Sequence, residues 1–178
     1  MPTRSTKVVA LVMMFVGAIV PARAQLFKPE MKVPNGEHLS AARKMTEGVF
    51  AKLKAGKTED LAKWIVNEVG GSWDASTKIS KTNDFRSKME IILVSPPAGV
   101  YGKLDGYDLI DESYLPGSDR YFRMVYISYH EGAPMIWEFR FYVKPDGEVA
   151  VHQLQWSEKN PFEFMSTGDM LLPRWYDD

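Results

Sequence analysis

Four polar side chains with types suited to chemistry, Tyr126, Ser128, His130 and His152, fall on an otherwise apolar face of the predicted sheet. A histidine has an ordinary pKa close to neutrality, which suits a general base, and a tyrosine hydroxyl can stabilise a developing oxyanion. An aromatic surface with few polar groups is the usual lining of a small-molecule pocket. The competing interpretation is that Tyr126 and His152 are hydrogen-bonded core residues and that His130, beside a tight loop, is exposed.

The spacing of the histidines disfavours a metal site. His130 and His152 are on the order of 20 Å apart in the predicted sheet, and His38 has no partner at ligand spacing. The chain has no cysteine, which excludes disulfides, thiolate nucleophiles and cysteine-ligated metals. We therefore predict no metal and no cofactor.

Other signatures of catalysis are missing from the sequence. No glycine-flanked serine marks a nucleophile elbow, and no glycine-rich loop leads into a lysine and a helix, as phosphate binding requires. Four carboxylates cluster around the first predicted strand and could supply a general base or a calcium ligand. Their spacing matches no calcium loop, and we expect a solvated strand edge. They belong to Asp105, Asp108, Asp111 and Glu112.

Two turn signals set the register of the strands that position the polar residues. Asp146-Gly147 predicts a two-residue hairpin loop, which pairs Phe141 with His152. The loop at 131–134 predicts a second hairpin, which pairs Tyr126 with Phe139. Both hairpins place the same residues on the inward face. The predicted ligand-binding surface on that face comprises Met124, Tyr126, Ser128, Trp137, Phe139, Phe141, His152, Leu154 and Trp156.

Periodicity and turn residues predict three helices followed by four strands. Apolar residues at helical spacing indicate helices at 37–55, at 58–69 with Thr58 as N-cap, and from a cap near Asn83 and Asp84 to Pro96. Runs of β-branched and aromatic residues indicate strands near 104–115, 120–130, 135–144 and 148–158. The predicted fold class is α+β, with three N-terminal helices packed on a curved antiparallel sheet of about four strands.

The first 24 residues have the three parts of a secretory signal peptide. Arg4 and Lys7 precede an uncharged run at 8–20, and the small-x-small triplet at 22–24 follows as a cleavage site. The run is too short to span a membrane. We therefore expect an exported protein, periplasmic or extracellular, with no membrane association after cleavage.

The rest of the chain reads as one domain between two short segments. We expect a flexible leader at 25–36, the domain at 37–160 and an apolar tail at 161–178 that lies across the mouth of the domain. Cleavage removes three basic residues, so that 19 remain against 23 acidic ones and the net charge becomes −4. This balance gives no basic footprint for nucleic acid.

Three segments of the predicted strands have a familiar pattern when they follow three helices. They are Gly106-Tyr107-Asp108-Leu109, Tyr121-Phe122-Arg123-Met124-Val125-Tyr126 and Trp137-Glu138-Phe139-Arg140-Phe141-Tyr142. In this pattern, over about residues 39–158, the chain resembles the nuclear-transport-factor-2-like, or cystatin-like, α+β roll, and most closely small uncharacterised exported members of that superfamily.

This resemblance implies a cone-shaped cavity between the sheet and the helices. Isomerase and cyclase members place an Asp general base, or an Asp–His pair, inside the cone. On that comparison, His152 as general base and Tyr126 as hydrogen-bond donor to an oxyanion are the candidate catalytic residues.

Two functions remain open from the sequence. The first is an exported non-catalytic domain that binds a small apolar or amphipathic ligand in the cone, or associates through its outer sheet face. A homodimer patch is predicted there from Val125, Ile127, Tyr142 and Val151. The alternative is an acid–base enzyme of the isomerase, dehydratase or cyclase type, which requires a titrating histidine inside a roomy cavity.

Overall fold

A computed structural model describes residues 32–158 of the chain. Three helices precede a single four-stranded antiparallel sheet whose strand order is β1-β2-β3-β4. The elements are α1 Gly36–Lys54, α2 Thr58–Val69, α3 Ala75–Ile92, β1 Leu104–Tyr114, β2 Tyr121–His130, β3 Met135–Val143 and β4 Val149–Ser157. The predicted α+β class, with three helices packed on one antiparallel sheet, is confirmed. The predicted signal peptide, most of the leader and the tail lie outside the described residues.

The first two helices begin and end close to the predicted residues. The side chain of Asn35 caps α1 by accepting a hydrogen bond from the Glu37 backbone N–H at 3.0 Å. Helix α2 starts at the predicted Thr58, but this residue is the first of the helix; the N-cap is Lys57, whose side chain makes no capping bond. Both helices bury one apolar stripe against the sheet.

The predicted start of the third helix was wrong by nearly half its length. Helix α3 begins at Ala75, where the Asp74 carboxylate accepts a hydrogen bond from the Thr77 backbone N–H at 2.9 Å. Asn83 and Asp84 therefore lie inside the helix. The first half of α3 has no buried residue, since only Met89 and Ile92 are buried, so apolar periodicity could not show where it starts.

The hairpin between β3 and β4 differs from the predicted one at its tip. Val143 pairs with Val149, and the Lys144 backbone N–H donates to the Glu148 carbonyl at 2.8 Å, which leaves a three-residue loop at 145–147 with Gly147 at a positive φ of 88°. The register then shifts by one residue, because Phe141 pairs with Val151 and Arg140 with Gln153, so that His152 is the extra residue of a β-bulge. The predicted pairing of Phe141 with His152 was therefore wrong. Below the bulge, the predicted pairs of Phe139 with Leu154 and Trp137 with Trp156 are confirmed.

The register between β2 and β3 is displaced by two residues from the predicted one. Tyr126 pairs with Trp137 instead of Phe139, and the connecting loop is correspondingly longer. Because side chains alternate with a period of two along a strand, a shift of two residues leaves every side chain on its predicted face. The aromatic residues predicted to face inward consequently face the helices, as expected: Phe122, Tyr126, Trp137, Phe139 and Phe141.

The core lies between that inward face and the three helices. Phe50 of α1 is at its centre, with ring centroids 5.4 Å from Tyr126, 5.8 Å from Trp137 and 6.2 Å from Phe139. Leu61 and Ile65 of α2 and Met89 of α3 belong to the same buried cluster. Aromatic side chains from both layers thus meet at the centre of the core.

Candidate functional site

Six of the predicted ligand-binding residues form the packed core. Their exposed fractions lie between 0% and 4%, and a side chain at 0% touches no space large enough for a water molecule. They are Met124, Tyr126, Ser128, Trp137, Phe139 and Phe141. The interior surface that they form is filled by neighbouring side chains, among them Phe50.

His152 is exposed on the opposite face of the sheet from Tyr126. The β-bulge reverses its orientation, and its Nδ1 lies 2.8 Å from the hydroxyl of Tyr121. The ring also lies against Tyr142 on the outer face. The predicted inward position of His152, which made it a candidate general base beside Tyr126, was therefore wrong.

Tyr126 is hydrogen-bonded within the core. Its hydroxyl lies 2.8 Å from Oγ1 of Thr46 on α1, and the Thr46 hydroxyl in turn donates to the Arg43 carbonyl at 2.8 Å. Burial raises the pKa of Tyr126 above its ordinary value, so the phenol stays neutral. This geometry matches the interpretation of Tyr126 as a satisfied core residue.

Ser128 and His130 form a polar network with the spacing of a nucleophile and its base. Ser128 Oγ lies 3.0 Å from His130 Nε2, and His130 Nδ1 lies 3.0 Å from the carbonyl oxygen of Gly102. A carbonyl only accepts, so Nδ1 carries the proton and Nε2 accepts from the Ser128 hydroxyl. Burial lowers the pKa of His130 and keeps the ring neutral.

That network is closed to substrates. Ser128 has no exposed surface, and its oxygen also accepts a hydrogen bond at 2.8 Å from the indole N–H of Trp137. The Met135 carbonyl is a further acceptor for the hydroxyl at 3.2 Å, so Ser128 is hydrogen-bonded entirely within the core. The arrangement therefore serves to satisfy buried polar groups. His130 was expected to be exposed because it lies beside the loop, but it is half-buried.

Glu112, one of the four carboxylates named from the sequence, lies on the inward face, a position that the sequence did not predict. A register shift between Leu109 and Asp111 rotates the end of β1, so that Glu112 pairs with inward-facing Met124. Its carboxylate accepts hydrogen bonds from Arg43 at 2.8 Å and from the Tyr114 hydroxyl at 2.6 Å. Asp105 and Asp108 are exposed as predicted, whereas Glu112 belongs to an ion pair that ties α1 to β1.

The best candidate for a binding site is an open groove between α3 and β4, with a volume of about 490 Å³. Helix α3 packs chiefly on α2, and its second half stands beside the edge strand β4 with space between them. The groove is lined by Phe85, Lys88, Ile91, Ile92, Tyr101, Leu154, Gln155, Trp156 and Glu158. Leu154 and Trp156 are the two predicted ligand-binding residues that line this accessible space.

The walls of the groove are apolar and its charges are separated. The ring of Phe85 contacts Trp156 edge to face with centroids 6.0 Å apart, while Ile91 is 68% exposed on the α3 side. The amine of Lys88 lies 5.9 Å from the Phe85 ring, and within residues 32–158 no carboxylate lies within 4 Å of it. Burial raises the pKa of Tyr101, and the nearby Glu158 carboxylate raises it further.

No group of three or more metal-ligating side chains comes together within residues 32–158. Over the same range, none of the helices is long and apolar enough to cross a membrane. Comparisons with protein-family models, with curated proteins and with solved structures give no match for this chain. The resemblance to the nuclear-transport-factor-2-like superfamily therefore stays a prediction.

Proposed function

We propose that this protein is an exported, non-catalytic domain of the nuclear-transport-factor-2-like type that binds a small amphipathic ligand in the groove between α3 and β4. The observation that carries the proposal is the groove itself. It places the exposed Ile91 beside Phe85 and Trp156, so that three large apolar side chains border one accessible cleft. A cleft of several hundred Å³ with aromatic walls is typical of small-molecule sites.

The charges at the groove favour a ligand with an anionic end. Lys88 is exposed at the rim and, among the described residues, has no carboxylate partner, so its charge is available to a carboxylate, sulfonate or phosphate. Glu158 also lines the groove, and its carboxylate helps to raise the pKa of the nearby Tyr101. An apolar body between Ile91 and Trp156 with an acidic group beside Lys88 fits this arrangement best.

The other functions considered from the sequence have less support. An acid–base enzyme working in the cone needs space and a reachable base, whereas Trp137 and Phe139 fill the interior and His152 faces outward. Association through the predicted outer patch needs four exposed apolar residues, but Val125 is fully buried and Val151 faces the core. Of these three functions, ligand binding is the one for which the domain has an accessible apolar surface.

The test uses 8-anilinonaphthalene-1-sulfonate, a fluorescent probe with an aromatic body and an anionic group. Ile91→Glu should weaken its binding about tenfold, because the variant removes roughly half of an isoleucine side-chain burial and adds a repelling charge. The matched control is Ile79→Glu on the same helix. Ile79 is 66% exposed against 68% for Ile91, and it lies outside the groove.

A second pair of variants tests the anionic end. Lys88→Gln should weaken binding of the sulfonate probe about threefold and should leave an uncharged probe, N-phenylnaphthylamine, unaffected. Lys78→Gln, on α3 outside the groove, should change neither. Equal binding by wild type, Ile91→Glu and Ile79→Glu would reject the groove as the site.

A further inference from the structure

Two opposite charges line the groove between α3 and β4 without neutralising each other. The Lys88 amine and the Glu158 carboxylate are both exposed on its walls. They are more than 4 Å apart, and among residues 32–158 neither forms an ion pair with any other side chain. The walls around them carry the apolar side chains of Phe85, Ile91 and Trp156. The groove therefore offers a ligand one positive and one negative group as well as apolar surface.

The two charges belong to different ends of the groove. Phe85, Lys88 and Ile92 share one face of α3 at helical spacing, and the Lys88 amine lies toward Phe85, 5.9 Å from the ring centroid. At the other end, the residue that follows Tyr101 donates its backbone N–H to the Ile92 carbonyl at 3.0 Å, which places Tyr101 beside the end of α3. Glu158 lies close enough to Tyr101 to raise its pKa. Phe85 and Ile92 are about 10 Å apart along the helix.

We propose that the groove takes a short apolar peptide with free termini, whose carboxylate lies beside Lys88 and whose ammonium group lies beside Glu158. This inference rests on the proposed function, because it names the ligand class of the same groove. An extended chain advances about 3.3–3.6 Å per residue, so the termini of a dipeptide or tripeptide are about 7–10 Å apart. This length matches the separation of the two charges. The side chains of the peptide contact Ile91 and Trp156.

The same two charges act against other ligands. A ligand with only an anionic group pairs with Lys88 but brings its charge toward the Glu158 carboxylate, and a ligand with only a cationic group meets the reverse arrangement. Specificity of this kind comes from repelling the wrong group as well as from pairing the right one. An uncharged ligand of the same shape pairs with neither residue. A ligand with both charges is therefore the class that the groove favours.

The experiment measures displacement of 8-anilinonaphthalene-1-sulfonate from the full chain by four forms of phenylalanyl-phenylalanine. The first has both termini free, the second has its amine acetylated, the third has its carboxylate amidated, and the fourth has both ends capped. The first form should bind about threefold more tightly than either singly capped form and about tenfold more tightly than the doubly capped one. These factors are small because exposed ion pairs contribute little each.

Two variants assign the termini of the peptide to the two charges. Glu158→Gln should weaken binding of the forms with a free amine about threefold and leave the acetylated forms unchanged. Lys88→Gln should weaken binding of the forms with a free carboxylate to the same extent and leave the amidated forms unchanged. Glu90→Gln is the matched control, because Glu90 is exposed on α3 outside the groove, and it should change the binding of no form.

The outcomes separate this inference from the proposed function. If Ile91→Glu weakens binding of the sulfonate probe but the four peptide forms compete equally or not at all, the groove binds ligands and the peptide assignment is overturned. The assignment is also overturned if acetylation of the amine costs as much affinity in Glu158→Gln as in wild type. If the probe binds equally to wild type, Ile91→Glu and Ile79→Glu, the proposed function fails and the peptide assignment fails with it.

Discussion

Replacing Ser128 with alanine should remove a large part of the stability of this domain. Ser128 Oγ accepts from the Trp137 indole N–H at 2.8 Å and donates toward His130 Nε2 at 3.0 Å. Trp137 and Ser128 are both at 0% exposure, so no water can replace the lost acceptor without opening the core. The substitution therefore orphans a buried donor.

The size of the effect follows from these contacts. A buried polar group left without a partner costs about 1–3 kcal/mol. The second broken bond adds less, because the half-buried ring of His130 can turn to water. We expect the free energy of unfolding of Ser128→Ala to fall by about 2–3 kcal/mol.

Urea unfolding followed by circular dichroism measures this change, with Ser87→Ala as the control. Ser87 is exposed on α3, and its replacement should change the free energy of unfolding by less than about 0.5 kcal/mol. If Ser128→Ala also costs less than about 0.5 kcal/mol, the Trp137 N–H has another acceptor and the network described here is incorrect.

Two further predictions concern neighbouring parts of the same end of the fold. Burial lowers the pKa of His130 below its ordinary 6.5, so the unfolded chain binds more protons than the folded one at acidic pH. The contribution of the neutral ring to stability is complete above about pH 6.5. It falls as the pH decreases toward the folded pKa, by at most about 1.4 kcal/mol per pH unit. Urea unfolding at pH 7.5 and 5.5 should show a smaller difference for His130→Asn than for wild type, and equal differences would argue against a buried neutral ring. Gly132→Ala should destabilise the fold by about 2 kcal/mol, because a Cβ there would lie 2.0 Å from the Val100 carbonyl oxygen. The control is Gly106→Ala, whose Cβ would meet nothing within 4 Å. Similar thermal unfolding midpoints for the two variants would contradict this close approach.

The faces of the sheet were predictable from the sequence because alternation is a robust signal. Phe122, Met124 and Phe141 face the core as expected, even though the pairing between β2 and β3 is displaced by two residues. An error of two residues preserves the alternation, while an error of one would have buried Arg123 and Arg140. Hydrophobic pattern therefore specified which face is buried better than turn residues specified register.

The position of His152 was missed, because two local features compensate each other. The three-residue loop shifts the tip of the hairpin by one residue, and the bulge shifts it back. Asp146-Gly147 is compatible with loops of two or three residues. Pro145 was the available signal, since it suits the first central position of a type I turn and cannot donate to a strand pair.

The groove was not predicted from the sequence, for a related reason. Phe85, Met89 and Ile92 form one helical stripe, which predicts that all three residues are buried together. Only Met89 and Ile92 enter the core, while Phe85 remains half-buried beside Trp156. Helix α3 packs chiefly on α2, and the periodicity of its sequence does not show which neighbour its apolar stripe contacts. Leu154 and Trp156 were nevertheless predicted as ligand-binding residues.

The most direct test of ligand binding is an NMR titration of the ¹⁵N-labelled protein with 8-anilinonaphthalene-1-sulfonate. The account predicts shifts for the Trp156 indole N–H and for the backbone amides of residues 85–92 and 154–156, which line or flank the groove. The Trp137 indole N–H, bonded to Ser128 in the core, should not move. Shifts confined to residues outside the groove, or no shifts at all, would contradict the proposed function.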